Sequence, residues 1–309
     1  MADPPVLKLV VVHQGALGDF LLMLAVLEGL QGFYPDLRVD FWSKKEHFDL
    51  IANKPFVGCF HSCEGSELLP FFNEDSAKEA QVPSFFLNAD AVLIFGQRSS
   101  RAPAAALAER MTCPVQWIES FPALNSNLLD SQHSMHICEF LKIQLRDLGW
   151  SVEDTFAHIE ARHDERSAVR DWLAQRGIAE ENKPVLVHPG SGGRKKIQPL
   201  RRWWNLLGWL RARSTHPVIM TLGPADGDLR SFAEEVREDL GVELLEGISL
   251  PRLAAFLAES WLYVGSDSGV SHLAASVGIP TVVVFGPTDP QVWAPQGPEV
   301  YVIQSRWKR

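Results

Sequence analysis

Short apolar runs that alternate with helical patterns along the whole chain constrain its fold more than any other feature. They fall near Leu37–Trp42, Ala91–Phe95 and Val115–Ile118 in the first half, and near Val218–Leu222, Leu262–Val264 and Thr281–Phe285 in the second. Runs of this kind read as strands buried on both faces. The helical stretches between them read as crossovers, so the pattern specifies parallel sheets covered by helices. At 309 residues the chain is long enough for two such domains, each with its own core. The boundary is expected between residues 155 and 183, where a charged helical segment from His163 to Gln175 ends at Gly177 and Pro184 restarts a strand. Placing it after residue 165 gives domains 1–165 and 166–309.

Three loops at strand-to-helix junctions carry the chemistry. The last of them, Val264-Gly-Ser-Asp-Ser-Gly-Val-Ser-His-Leu-Ala-Ala275, puts Asp267, Ser268, Gly269 and His272 where a helix begins. The first amides of a helix have no intrahelical partners and carry the positive end of its dipole, so Ser268, Gly269 and Val270 can offer N–H groups to a phosphate. His272 lies about one turn further in, and its side chain leans back toward the same ligand. An ordinary N-cap by Asp267 or Ser268, with His272 merely packed, fits the same residues.

The central loop, Val185-Leu-Val-His-Pro-Gly-Ser-Gly-Gly-Arg-Lys-Lys196, runs from an apolar strand into three glycines, Ser191 and three cations. Glycines allow close backbone approach, and Lys195 and Lys196 can neutralise a diphosphate. The G-x-x-x-x-G-K-[ST] spacing is absent, so an ATPase or kinase loop is not supported. The opening loop follows the β-rich run Val6–Val12 and reads His13-Gln-Gly-Ala-Leu-Gly-Asp19. Asp40, about twenty residues on, suggests a nicotinamide site. However, the middle glycine of G-x-G-x-x-G is missing, and Asp19 would set a carboxylate where a pyrophosphate should lie. A carboxylate at a helix start is stabilised in its ionised form. That suits either a general base or a plain helix cap.

Together with Gly278-Ile-Pro280 and Phe285-Gly-Pro-Thr-Asp-Pro290, these loops resemble the glycosyltransferase family 9 heptosyltransferases, which build the inner core of lipopolysaccharide. The resemblance runs from about residue 6 to about residue 295. It implies an α/β fold of GT-B architecture, two Rossmann-like domains with parallel sheets facing across a cleft. Nucleotide-sugar donor would sit on the C-terminal domain and lipid acceptor on the N-terminal one. By the same resemblance Asp19 is the catalytic base, and Ser191, Lys195 or Lys196, Asp267, Ser268, Gly269 and His272 belong to the donor. Asp226, after the strand Val218–Leu222, stands where the family holds the nucleotide ribose with an acid. Little chain follows the last expected strand to form a helix returning to the first domain.

Composition narrows the partners. A net charge of −9 argues against general nucleic-acid binding. No charged-then-apolar leader opens the chain, and no apolar run approaches the ~20 residues that span a bilayer, so a cytoplasmic protein is expected, in peripheral contact at most with the inner membrane surface. Lys44-Lys45, His13, Arg98 and Arg101 are candidates for an anionic glycolipid acceptor, the lipopolysaccharide core. Four cysteines in a chain this long do not form a disulfide framework, and Cys59-Phe-His-Ser-Cys63 lacks a second half for a metal site. Asp226-Gly227-Asp228 has the D-x-D spacing of metal-dependent sugar transferases, but it opens a helical stretch from Leu229 to Leu240 and reads as a cap. Trp203 and Trp204 read as cover for the sheet.

The sequence therefore describes an inverting glycosyltransferase that uses no metal and no other cofactor. It would move a heptose or related sugar from a nucleotide diphosphate, ADP-heptose by resemblance. Rival readings are a nucleotide-sugar epimerase of the same fold, a non-catalytic carbohydrate-binding protein, and a nicotinamide enzyme.

Overall fold

In a computed structural model, residues 7–65, 70–71, 76, 80–122 and 135–307 are described. The chain divides into two compact units, one ending at Phe156 and the other beginning at Ala157. The segment after Phe156 is already tied to the second unit, because the Ile159 amide donates to the Ser276 carbonyl (2.8 Å). The following helix, His163–Ala174, buries Val169 and Leu173. Its Arg166 pairs with Glu259 (2.7 Å), and Glu165 pairs with Arg252. A boundary after residue 165 would cut this helix. The packing keeps it whole in the second unit.

The first unit holds β1 (Lys8–His13), β2 (Arg38–Ser43), β3 (Val57–Ser62), β4 (Ala91–Gly96) and β5 (Val115–Glu119), in the order β3-β2-β1-β4-β5. Val6 lies outside the described residues. Every pairing is parallel. The helix Leu17–Phe33 connects β1 to β2, and its residues from Phe20 to Leu27 are all buried. A helix apolar all round is one enclosed by its domain.

The second unit holds β6 (Val185–His188), β7 (Val218–Leu222), β8 (Glu243–Glu246), β9 (Leu262–Ser266), β10 (Thr281–Phe285) and β11 (Val300–Gln304). They are parallel in the order β11-β10-β9-β6-β7-β8. On one face, Trp203, Leu207 and Leu210 from the helix Leu200–Arg213 pack on Val185, Val187 and Met220 of the strands. Trp203 covers the sheet as expected, and Trp204 is only partly buried against the same core.

In both sheets the strand order reverses beside the first strand of the unit, between β1 and β4 and between β6 and β9. Open α/β sheets bind ligands at the carboxyl ends of the strands at such a reversal. The three loops singled out in the sequence leave β1, β6 and β9 at those ends.

Candidate functional site

In the first unit, the carboxyl ends of β1, β4 and β5 open into a cavity of about 220 Å³. Gln14, Asp19, Gln97 and Ser120 supply polar groups, while Ile94 and Phe121 supply apolar wall. Asp19 is the third residue of the helix Leu17–Phe33, and its Oδ2 accepts from the Ala16 amide (3.3 Å). It therefore caps the helix and lines the cavity at once. Capping and chemistry are compatible, since the helix terminus favours the ionised carboxylate that a base requires.

His13 closes β1 and is buried, with no hydrogen-bond partner for its Nδ1 among the described residues. Its ring stands edge-on to Phe20 at 5.5 Å and lies 6.4 Å from the ring of His47. Burial above all, and then the neighbouring His47 and Lys44, hold the His13 imidazole down to about 3, so it is neutral at ordinary pH. His47, equally enclosed and also beside Lys44, is lowered to about 4. His13 is not in the cavity wall, whereas Gly15, where an added Cβ would meet the His13 ring, is. Arg98 is exposed, with its Nε 3.5 Å from Glu119, and the Arg101 guanidinium stands 5.6 Å over the Trp117 ring. Neither arginine lines the cavity, although Gln97, Ser99 and Ser100 beside them do.

In the second unit the loops leaving β6, β9 and β10 meet at Asp267. Its amide donates to the Val284 carbonyl (3.2 Å), and its own carbonyl accepts from Ser191 Oγ (2.7 Å). Its carboxylate is buried, with Lys196 Nζ at 2.9 Å from Oδ2 and the Thr288 hydroxyl donating to the same oxygen. Ser266 Oγ adds a bond to the Pro189 carbonyl (2.8 Å). These links hold the central loop against the start of the helix Gly269–Val277, whose N-cap is Ser268. His272 sits one turn in and is buried. The structure thus brings Ser191, Lys196, Asp267, Ser268 and Gly269 together. Lys195, the neighbour of Lys196, points to solvent.

Asp226 corrects one expectation. Its side chain does not cap the helix that follows, which runs from Arg230 to Leu240. Instead Oδ2 accepts from the Gly223 amide (2.7 Å) and lies 3.7 Å from His188 Nε2. His188 turns its Nδ1 to the Thr221 carbonyl (2.9 Å), and burial holds its imidazole below the usual range. The Asp226 carboxylate fills the space beside Gly190. Asp228 pairs with Arg194 at the surface. Among the described residues no group of three or more His, Cys, Asp or Glu side chains is placed to hold a metal ion.

Sequence reasoning gave no role to Thr288 or to His188. Both stand inside motifs that are visible in the chain, but their contacts join loops from different strands, which spacing alone does not reveal.

A model of glycosyltransferase family 9 (heptosyltransferase) matches residues 87–308. Lipopolysaccharide heptosyltransferase 3 of Escherichia coli is 22% identical over 304 residues, spanning 90% of this chain and 83% of that protein. Among solved structures, the glycosyl transferase family 9 protein of Veillonella parvula superposes with a TM-score of 0.75 at 18% identity, covering 99% of this chain and 89% of that one. An Escherichia coli heptosyltransferase solved with ADP gives 0.68 at 20% identity, covering 97% and 93%. These likenesses show the fold, two parallel α/β units of the GT-B class.

Proposed function

The chain belongs to glycosyltransferase family 9, and from that premise we propose that it transfers a heptose from ADP-heptose to a lipopolysaccharide core acceptor, with inversion at the anomeric carbon. Asp19 takes the proton from an acceptor hydroxyl seated in the cavity of the first unit as that oxygen attacks the sugar. The second unit holds the donor. Charge builds on the departing β-phosphate oxygen, and the amides at Ser268 and Gly269 together with the Lys196 ammonium stabilise it more in the transition state than in the ground state. His272 leans to the same phosphates, and Asp226 is assigned to the ribose side of the loop. No metal is needed, because cations and amides supply the positive charge. No described helix is long and apolar enough to cross a membrane, and the protein is taken to work from the cytoplasm, meeting its glycolipid acceptor at the membrane surface.

The observation that carries the reading is the convergence of Ser191 and Lys196 on one residue, Asp267, directly before Ser268, the N-cap of a helix. Calorimetric titration with ADP, UDP, GDP and dTDP, followed by ADP release with and without acceptor, tests it. ADP should bind best, and its release should require acceptor and survive excess EDTA. Preference for UDP or dTDP would remove heptose from the donor list. Donor binding without release would make this a binding protein, and activity restored only by Mg²⁺ or Mn²⁺ would replace the leaving-group argument.

A further inference from the structure

We propose that Thr288 and Asp267 are positioning residues that fix the Lys196 ammonium at the start of the helix Gly269–Val277, so that it meets a diphosphate already in place. The inference rests on the donor-site reading above and brings in Thr288 of the Phe285–Pro290 segment, to which that reading gives no task.

A carboxylate pointing at a diphosphate repels it. Asp267 is buried, so its charge is costly unless paired and hydrogen-bonded. Both needs are met within the protein. Lys196 Nζ lies 2.9 Å from Oδ2, and the Thr288 hydroxyl donates to the same oxygen from the loop after β10. The backbone of Asp267 is fixed as well, through Val284 and Ser191. Asp267 is thereby an anchored acceptor for the lysine, and its role toward the donor runs through that lysine.

The gain is preorganisation. Lysine carries a compact charge on a flexible stem, and ordering that stem on binding costs affinity. Here Lys196 is about one-third exposed, held at its tip and open along one side, while Lys195 next to it is exposed. Without the Thr288 hydroxyl the carboxylate loses one of its two fixed partners and can turn, and the ammonium is released with it. The resulting penalty falls on ligands that carry a β-phosphate.

Thr288→Val and Thr288→Ser test this in the full chain, with ADP as probe and AMP as control. A hydrogen bond to a charged group is worth enough that partial loss of its effect should weaken ADP by about three- to tenfold. AMP affinity should stay the same, Thr288→Ser should restore ADP binding, and Thr288→Val should add nothing in a Lys196→Ala background. Lysine acetylation followed by mass spectrometry gives a readout that needs no ligand: Lys196 should react faster in Thr288→Val, and faster again in Asp267→Asn, with Lys195 as internal standard. Unchanged ADP affinity, equal loss for AMP, or additive effects with Lys196→Ala would each overturn the proposal. Failure of the donor-site reading shows itself separately, as wild-type protein that binds no ADP. The labelling contrast then decides alone, and unaltered Lys196 reactivity in Thr288→Val overturns the positioning role.

Discussion

The imidazole of His13 and the carboxylate of Asp19 close on the same point in space, the place where a side chain at Gly15 would begin. A Cβ added there would lie 3.0 Å from His13 Nε2 and 3.2 Å from Asp19 Oδ2. One of these groups is a neutral, buried ring and the other is the proposed base at the cavity. Gly15 is thus the spacer that lets both stand at the end of β1.

Gly15→Ala should therefore disturb catalysis more than folding. Contacts of this length force a neighbour to give by a few tenths of an ångström, and the half-buried carboxylate of Asp19 is freer to move than the enclosed ring of His13. Displacing a reacting group by ~1 Å can cost about 10²-fold, so a smaller shift should lower kcat by up to about tenfold. Donor affinity should not change. Steady-state kinetics with calorimetric ADP binding checks both, and an unchanged kcat would mean that Asp19 has no positional requirement.

Asp19→Asn separates the cap from the base. The amide oxygen can still accept from the Ala16 amide, so the helix Leu17–Phe33 and the thermal stability should persist. Proton acceptance should not. General-base assistance is worth ~10²–10⁴-fold and belongs to the transition state, so the loss should fall on kcat with donor binding intact. Near wild-type turnover would return Asp19 to a purely structural role.

How far the sequence reveals this protein depends on what is local. The central strands stand out as apolar runs because parallel strands are buried on both faces. The edges β3, β8 and β11 do not. β3 is half-exposed with an irregular register against β2, β8 begins and ends in glutamate, and four of the five residues of β11 are exposed. Asp19, Ser191 and Ser268 are legible because a loop between a strand and a helix is a continuous piece of chain. Contacts between loops are not legible. Nothing in Arg194-Lys195-Lys196 says which lysine reaches Asp267, and Ser191 meets the Asp267 carbonyl across 76 residues of sequence. The D-x-D spacing at Asp226 is equally silent about a side chain that turns back to Gly223.

Gly190 and Gly192 should respond in opposite ways to alanine. A Cβ at Gly190 would overlap the Asp226 carboxylate, and that short side chain is buried and held by the Gly223 amide. Something must shift, so Gly190→Ala should destabilise by ~1–3 kcal/mol and weaken ADP binding by moving the loop. A Cβ at Gly192 meets nothing within 4 Å, and Gly192→Ala should stay within ~0.5 kcal/mol of wild type. Melting curves and ADP titrations of the two variants make the comparison. Equal behaviour would show that Asp226 does not brace the central loop.

Acid should destabilise the protein through His13 and His47 before it protonates most carboxylates. Both imidazoles are neutral in the folded chain, lowered from 6.5 to about 3 and about 4, chiefly by burial. The unfolded chain takes up protons near 6.5, whereas the folded chain does so only far lower. Stability is therefore fully present above about pH 6.5 and declines as pH falls from there, the loss being complete once pH has passed about 4 for His47 and about 3 for His13. Since each unit of displacement corresponds to ~1.36 kcal/mol, the pair should account for a loss on the order of a few kcal/mol by pH 4. His13→Gln with His47→Gln removes both titrations. The double variant should melt lower at pH 7.5, having lost the ring packing on Phe20, yet show a flatter fall in Tm between pH 6.5 and 4. Denaturant titrations at matched pH measure the same slope directly. Parallel pH profiles for wild type and variant would mean that these two histidines do not set the acid limit.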